Sequence, residues 1–68
     1  MKEKLGNRIG VLRAEHDLTQ LALAELVGVS RKTINTVENG VFIPSTVLAL
    51  KLARALGTPV EQIFSIEG

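Results

Sequence analysis

Apolar residues return every three or four positions through most of the chain, and each run ends at a turn-forming residue. Leu5, Ile9 and Leu12 share one face, which predicts a first helix from about Lys4 to His16. Gly6 and Gly10 weaken it, each by up to ~1 kcal/mol relative to Ala at an exposed site. Thr19 is a good N-cap for a second helix, Gln20 to Val27, with Leu23, Leu26 and Val27 inward and Gly28 as its stop. Ser30 then caps a third helix, about Arg31 to Asn39, which Gly40 ends. Phe42, Ile43 and Pro44 read as a loop, because a residue before proline is pushed out of the helical region. A fourth helix, about Ser45 to Leu56, puts Leu48, Ala49, Leu52, Ala53 and Leu56 inside, and Gly57 stops it. Thr58-Pro59-Val60-Glu61 has the form of a capping box with proline at the first helical position, opening a fifth helix to about Phe64. No segment alternates as a strand does. The pattern predicts one all-α domain, residues 1–68, of five helices.

The third helix has an unusual outer face. At about 100° per residue from Arg31, Asn35 falls at about 40°, Asn39 at about 80°, Lys32 at about 100° and Thr36 at about 140°; Val37 and Ile34 fall at about 240° and 300°. The polar arc holds a guanidinium, an ammonium, amides and a hydroxyl, and no carboxylate. A solvent face usually mixes signs, because Glu–Lys pairs four apart support a helix. These groups instead are the ones that read base edges and hold phosphates. The linker Gly28-Val29-Ser30 forces a sharp angle between the second and third helices, as in a helix-turn-helix. The bland alternative is an ordinary helical corner with a polar outside.

Composition narrows the chemistry. The 68 residues include no Cys and one His, His16, so thiolate and multi-histidine metal sites are excluded, little is left for acid–base work, and three isolated serines with one histidine make no triad signal. We expect no enzyme, no cofactor, no metal and no small-molecule ligand. No apolar run is long enough to span a bilayer, and the first 17 residues are too charged for a signal peptide, so a cytoplasmic protein is expected. A hydrophobic share of 46% is high for so small a domain and implies apolar surface covered by a partner. The net charge of +1 is unevenly spread: residues 1–16 carry four basic and two acidic groups, residues 30–37 two basic and none acidic, residues 58–68 two acidic and none basic. A polyanion would meet the first two segments, with the acidic C-terminal segment away from the phosphates.

On these residues the chain resembles the phage repressor and Cro family, also called the XRE family. The apolar pattern Leu23, Ala24, Leu26, Gly28, Val29, Ile34, Val37 fits, as do the flanks LRAEHDLTQ, ENG and PSTVLALKLARALGTPVEQIF. The resemblance runs from about Asn7 to Phe64. It implies a five-helix repressor-like fold and sequence-specific binding of double-stranded DNA in a prokaryote or phage, usually as a dimer, to regulate transcription. It further implies that Arg31, Lys32, Asn35 and Thr36 read bases in the major groove. Gln20, Ser30 and Asn39 would touch phosphates, and Arg13 and Glu38 would form a structural ion pair. Glu38 lies beside the apolar seam, where it would repel phosphate unless neutralised; two separate surface charges are the alternative. Three departures stand out: Val41 where the family often has Lys or Arg, Leu21 and Ala22 where it often has Glu, and Thr46-Val47 for a common Leu-Glu pair.

A reading helix alone spans few base pairs, so a homodimer on a palindromic operator is expected, built from Val41, Phe42, Ile43, Ile63 and Ile66. A monomer that dimerises only on DNA is the alternative. Two other functions compete: the DNA-binding antitoxin of a toxin–antitoxin pair, and a helical interaction module that has lost DNA binding. The end at Gly68, soon after the fifth helix, argues against the antitoxin. The unbroken polar arc argues against the module.

Overall fold

Three of the expected helices begin where an oxygen-bearing side chain can accept from the first turn. In the computed structural model, which describes residues 3–67, Thr19 Oγ1 accepts from the Ala22 N–H at 3.0 Å, Ser30 Oγ from the Thr33 N–H at 3.1 Å, and Ser45 Oγ from the Leu48 N–H at 3.1 Å. These caps open α2 (Gln20–Val27), α3 (Arg31–Glu38) and α4 (Thr46–Leu56). Gly28 and Gly57 end α2 and α4 in the left-handed conformation, at φ 76° and 59°, where a Cβ would be strained. Met1, Lys2 and Gly68, which the sequence reading includes in the domain, lie outside the described residues.

The two ends of the chain differ from expectation. Residues expected to open the first helix form a strand, β1 (Lys4–Asn7), and α1 begins only at Ile9, running Ile9–Glu15. At the other end α5 is a single turn, Val60–Ile63, followed by β2 (Phe64–Glu67). The strands pair antiparallel, with Leu5 opposite Ile66 and Asn7 opposite Phe64. A small sheet is thus added to the five-helix fold, and the expectation that no strand is present is corrected. The reason is non-local: β1 finds its hydrogen-bonding partner about 60 residues away, and Gly6 lowers the helical alternative. The register also sets Lys4 across from Glu67. The capping box at Thr58 is absent as well. Thr58 Oγ1 donates to the Leu56 carbonyl at 3.0 Å, Pro59 is itself the N-cap, and no side chain caps α5.

The core gathers Ile9 and Leu12 of α1, Leu23, Ala24 and Val27 of α2, Ile34 and Val37 of α3, Leu48, Leu52 and Leu56 of α4, with Ile63 and Phe64 at the end. Leu26, expected inside, is exposed, and Ala24 holds the inward place against α3. The small side chain is what lets the two helices of the corner approach closely. Ile63, expected at a dimer contact, is only 1% exposed and belongs to this core. Phe42 is exposed and Phe64 buried.

Candidate nucleic-acid interface

Before it can present side chains reproducibly, α3 must itself be held. Its inner face is tied down by Ile34 and Val37. Its C-terminal turn is anchored by Asn7, whose Nδ2 donates to the carbonyls of Val37 and Glu38 at 3.1 and 3.3 Å. The Asn7 Oδ1 accepts from the Ile9 N–H at 3.1 Å. One side chain therefore satisfies the free end of α3 and the start of α1 together. Sequence reasoning missed Asn7 because its partners are some 30 residues away; an amide directly before a helix start was the only local signal.

Glu38 supplies the second anchor. Its Oε2 accepts from Arg13 Nε at 2.7 Å and its Oε1 from Arg13 Nη2 at 3.2 Å, a two-pronged pair linking α3 to α1. Arg13 also donates through Nη1 to the Leu18 carbonyl at 2.9 Å, bracing the turn before α2. The side chains are 21% and 12% exposed, so the pair is largely out of water. The hydrogen bond to Glu38 raises the Arg13 pKa above its ordinary range; partial burial opposes this, and the charge of Glu38 adds to it. The expected ion pair is formed.

From this anchor a chain of polar contacts leads outward. Gln20, the first residue of α2, donates through Nε2 to Glu38 Oε1 at 3.3 Å and to Asn35 Oδ1 at 3.2 Å. Its Oε1 accepts from Arg31 Nη1 at 3.3 Å. Gln20, Arg31 and Asn35, named from the sequence for different roles, are therefore in direct contact. The remaining candidates act singly. Lys32 is exposed on the same arc, and Thr36 is half-buried with its hydroxyl donating to the Thr33 carbonyl at 3.0 Å. Ser30 Oγ caps α3 and lies 3.0 Å from Thr33 Oγ1. Asn39 is the exposed C-cap. Beyond it, Val41 and Phe42 both donate their N–H to the Thr36 carbonyl, at 2.9 and 3.2 Å, which folds the loop back on α3. That loop, Asn39 and the C-terminal Glu67 line one groove, so the acidic strand lies nearer the end of α3 than its charge led us to expect.

The arrangement is a short two-helix corner presenting a cationic, amide-rich helix, braced from behind by a neutralised carboxylate. It is the form of a helix-turn-helix, and comparison with known proteins agrees. The helix-turn-helix family profile matches residues 9–63. The chain is 46% identical over 61 residues to an uncharacterised HTH-type transcriptional regulator of Methanocaldococcus jannaschii, covering 90% of this chain and 92% of that one. A solved putative DNA-binding protein from Bacteroides fragilis superposes with a TM-score of 0.80 at 33% identity, covering 90% and 98% of the two chains. The restriction-modification controller protein C.AhdI from Aeromonas hydrophila superposes with a TM-score of 0.75 at 37% identity, covering 79% and 82%. A shorter match, 48% identical over 44 residues, is to antitoxin PezA of Streptococcus pneumoniae; it covers 65% of this chain and 28% of PezA. The chain belongs to the XRE-type helix-turn-helix family of DNA-binding transcriptional regulators. Among the described residues, no helix is long and apolar enough to cross a membrane.

Proposed function

We propose that the protein is a sequence-specific transcriptional repressor, a single cytoplasmic domain that binds a palindromic operator as a homodimer. α3 enters the major groove, where Arg31, Lys32, Asn35 and Thr36 face the bases, while Gln20, Ser30 and Asn39 hold the phosphates. The observation that carries this reading is the run of contacts from Arg13 through Glu38 and Gln20 to Arg31 and Asn35. It fixes the two side chains best suited to guanine and adenine before DNA arrives, so less ordering entropy opposes binding. Gln20 then has two tasks in turn: it holds Arg31 and Asn35 in the free protein, and on DNA it releases one of the N–H bonds it gives Asn35 and Glu38 to donate to a phosphate.

Support for the dimer comes from surface chemistry. Val41, Phe42, Ile43 and Ile66 are exposed apolar residues, and the groove between the loop and the sheet brings Phe42 and Ile43 beside Leu5, the cross-strand partner of Ile66. Ile63 takes no part, being core. Two reading helices roughly 34–36 Å apart would then meet successive turns of one DNA face. Selection of bound duplexes from random sequence tests the proposal. A two-fold symmetric motif about one helical turn between half-site centres is expected. Recovery of sequences with no shared motif would defeat it. The match to PezA favours a second reading, a DNA-binding antitoxin. A toxin encoded beside this gene, which the protein neutralises, would put that reading first.

A further inference from the structure

α4 carries a face that neither the core nor the proposed DNA contacts use. Val47, Leu50, Lys51 and Arg54 follow one another at i, i+3, i+4 and i+7, and together they line a shallow groove along the outside of the helix. Val47 is 62% exposed and Leu50 58%. Next to them, across the cleft between α2 and α4, Leu26 is 62% exposed beside the same Lys51 and Arg54. Three large apolar side chains left in water on one side of a small domain mark a contact surface rather than scattered exposure. Val47 and Leu26 are also the positions where the sequence pattern gave no reason for an outward apolar residue.

Charge selects what covers this face. α4 contains no acidic residue, and its two free-standing cations, Lys51 and Arg54, make no side-chain hydrogen bond or ion pair among the described residues. Glu25 borders the cleft on the α2 side and is the acidic residue of that groove. A second copy of the same helix is a poor occupant. Packed antiparallel across a two-fold axis centred between Leu50 and Lys51, two copies set Lys51 over Leu50 and Arg54 over Val47, cations against apolar side chains with no carboxylate on either helix; parallel copies set Lys51 on Lys51 and Arg54 on Arg54. Like charges so placed cost affinity. DNA is a poor occupant too, because phosphates offer nothing to Val47, Leu50 and Leu26. We infer that the Val47–Leu50–Lys51–Arg54 face of α4, with Leu26 at its border, docks an amphipathic helix of another protein, one whose leucine-like stripe is flanked by Asp or Glu. The apolar stripe covers Val47, Leu50 and Leu26, and its carboxylates meet Lys51 and Arg54. This inference stands apart from the DNA-binding proposal, since it uses none of the same residues.

The test is titration of the isotope-labelled full chain, followed by amide shifts, with a synthetic helical peptide bearing Leu at i, i+3, i+7 and Glu on both flanks. A second peptide has the leucines replaced by serines, and a third probe is a random-sequence duplex. Saturable shifts confined to Leu26, Val47, Leu50, Lys51, Arg54 and their neighbours are expected with the first peptide alone. Reversing both charges, Lys51→Glu with Arg54→Glu, should weaken it about tenfold, as expected for two pairs at an interface rim. Val47→Ser with Leu50→Ser should abolish it. Equal binding of the serine peptide, or no saturable shifts at millimolar peptide, would overturn the inference. So would the same shifts with the duplex, which would make the face a phosphate contact. Self-association of the parent that Leu50→Ser removes would assign the face to a second copy instead. The peptide comparison uses the unaltered protein, so it decides even if a variant folds poorly.

Discussion

Arg31 and Asn35 differ from Lys32 and Asn39 in being held by a side chain of another helix before any ligand is present. Arg31→Ala or Asn35→Ala should cost about 1–3 kcal/mol at the preferred base and relax selectivity there, as loss of a two-pronged base contact does. Competition binding on single-base operator variants measures it; equal loss on every sequence would mark them as phosphate contacts. Gln20 sharpens the expectation. A residue that touched only phosphate would weaken all sequences alike on truncation. Because Gln20 also bonds Arg31 and Asn35, Gln20→Ala should both weaken binding and blunt the motif at the positions those two read. Asn39→Ala, with no such tie, should lower affinity without changing the motif. Glu38→Gln leaves Arg13 facing an amide in a largely dry site. Its cost should fall near ~2–3 kcal/mol, between the ~0–1 of exposed pairs and the ~3–5 of buried ones. In a domain of this size that lowers the melting temperature by roughly 10–20 °C. A variant that melts like the parent would mean the pair contributes nothing in solution. The group whose pKa is raised is Arg13, so its share of this stability is fully present below the unfolded arginine pKa. It is lost only as pH rises through the still higher folded value, in strong alkali. Melting between pH 6 and about 9 should therefore show no transition from Arg13.

Among the elements, α3 depends on both ends of the chain. Asn7, at the last position of β1, binds the C-terminal carbonyls of α3. The β1–β2 pairing is thus part of what supports α3, the helix proposed to read the bases. Asn7→Ala would leave the Glu38 carbonyl and the Ile9 N–H without the partner Asn7 supplies, and the Val37 carbonyl with only its backbone N–H donors, a loss of about 1–3 kcal/mol. It should also lower DNA affinity at temperatures where the protein stays folded. Amide exchange would report the effect as faster opening in the last turn of α3, with α4 unchanged; uniform acceleration everywhere would indicate global destabilisation only. Ser45→Ala, which removes the cap of α4, serves as the comparison. It should cost about 1 kcal/mol without touching α3.

At the scale of the whole molecule, few cations are available to meet DNA, and an acidic strand sits by the groove that Asn39 lines. The dependence of affinity on salt should therefore be shallow for a repressor, since each neutralised phosphate contributes roughly −0.9 to the log–log slope. A slope near −10, as for a heavily basic repressor, would be inconsistent with so few contacts. Removing the carboxylate by Glu67→Gln should strengthen binding slightly and steepen the slope. For assembly, sedimentation at micromolar concentration should find a dimer that Ile66→Asp or Val41→Asp converts to monomer. A parent that sediments as a monomer and binds DNA one copy at a time would leave the apolar loop and strand without this role.

The interior helices were legible because their signals are local. Thr19, Ser30 and Ser45 cap within three residues, Gly28 and Gly57 stop their own helices, and the polar arc of α3 follows from helical repeat alone. The same local signals carry the family resemblance, and it was the resemblance that implied the Arg13–Glu38 pair, whose bond spans 25 positions. What the sequence could not determine rests on contacts between distant segments. Residues 4–7 satisfy a weak helical pattern and a weak strand equally well, and only the arrival of residues 64–67 tips the balance. Ile63 and Ile66 look alike in the sequence, yet the turn of α5 sends one into the core and the strand leaves the other in water. Leu26, read as inward from its spacing, lies in water, while Ala24 holds the close approach of α2 to α3 that its small size suits. Gln20, finally, was readable as a polar residue at a helix start. Only the folded corner brings it within hydrogen-bonding distance of Arg31, Asn35 and Glu38, because those atoms belong to a different helix whose angle the three-residue turn and the core together set.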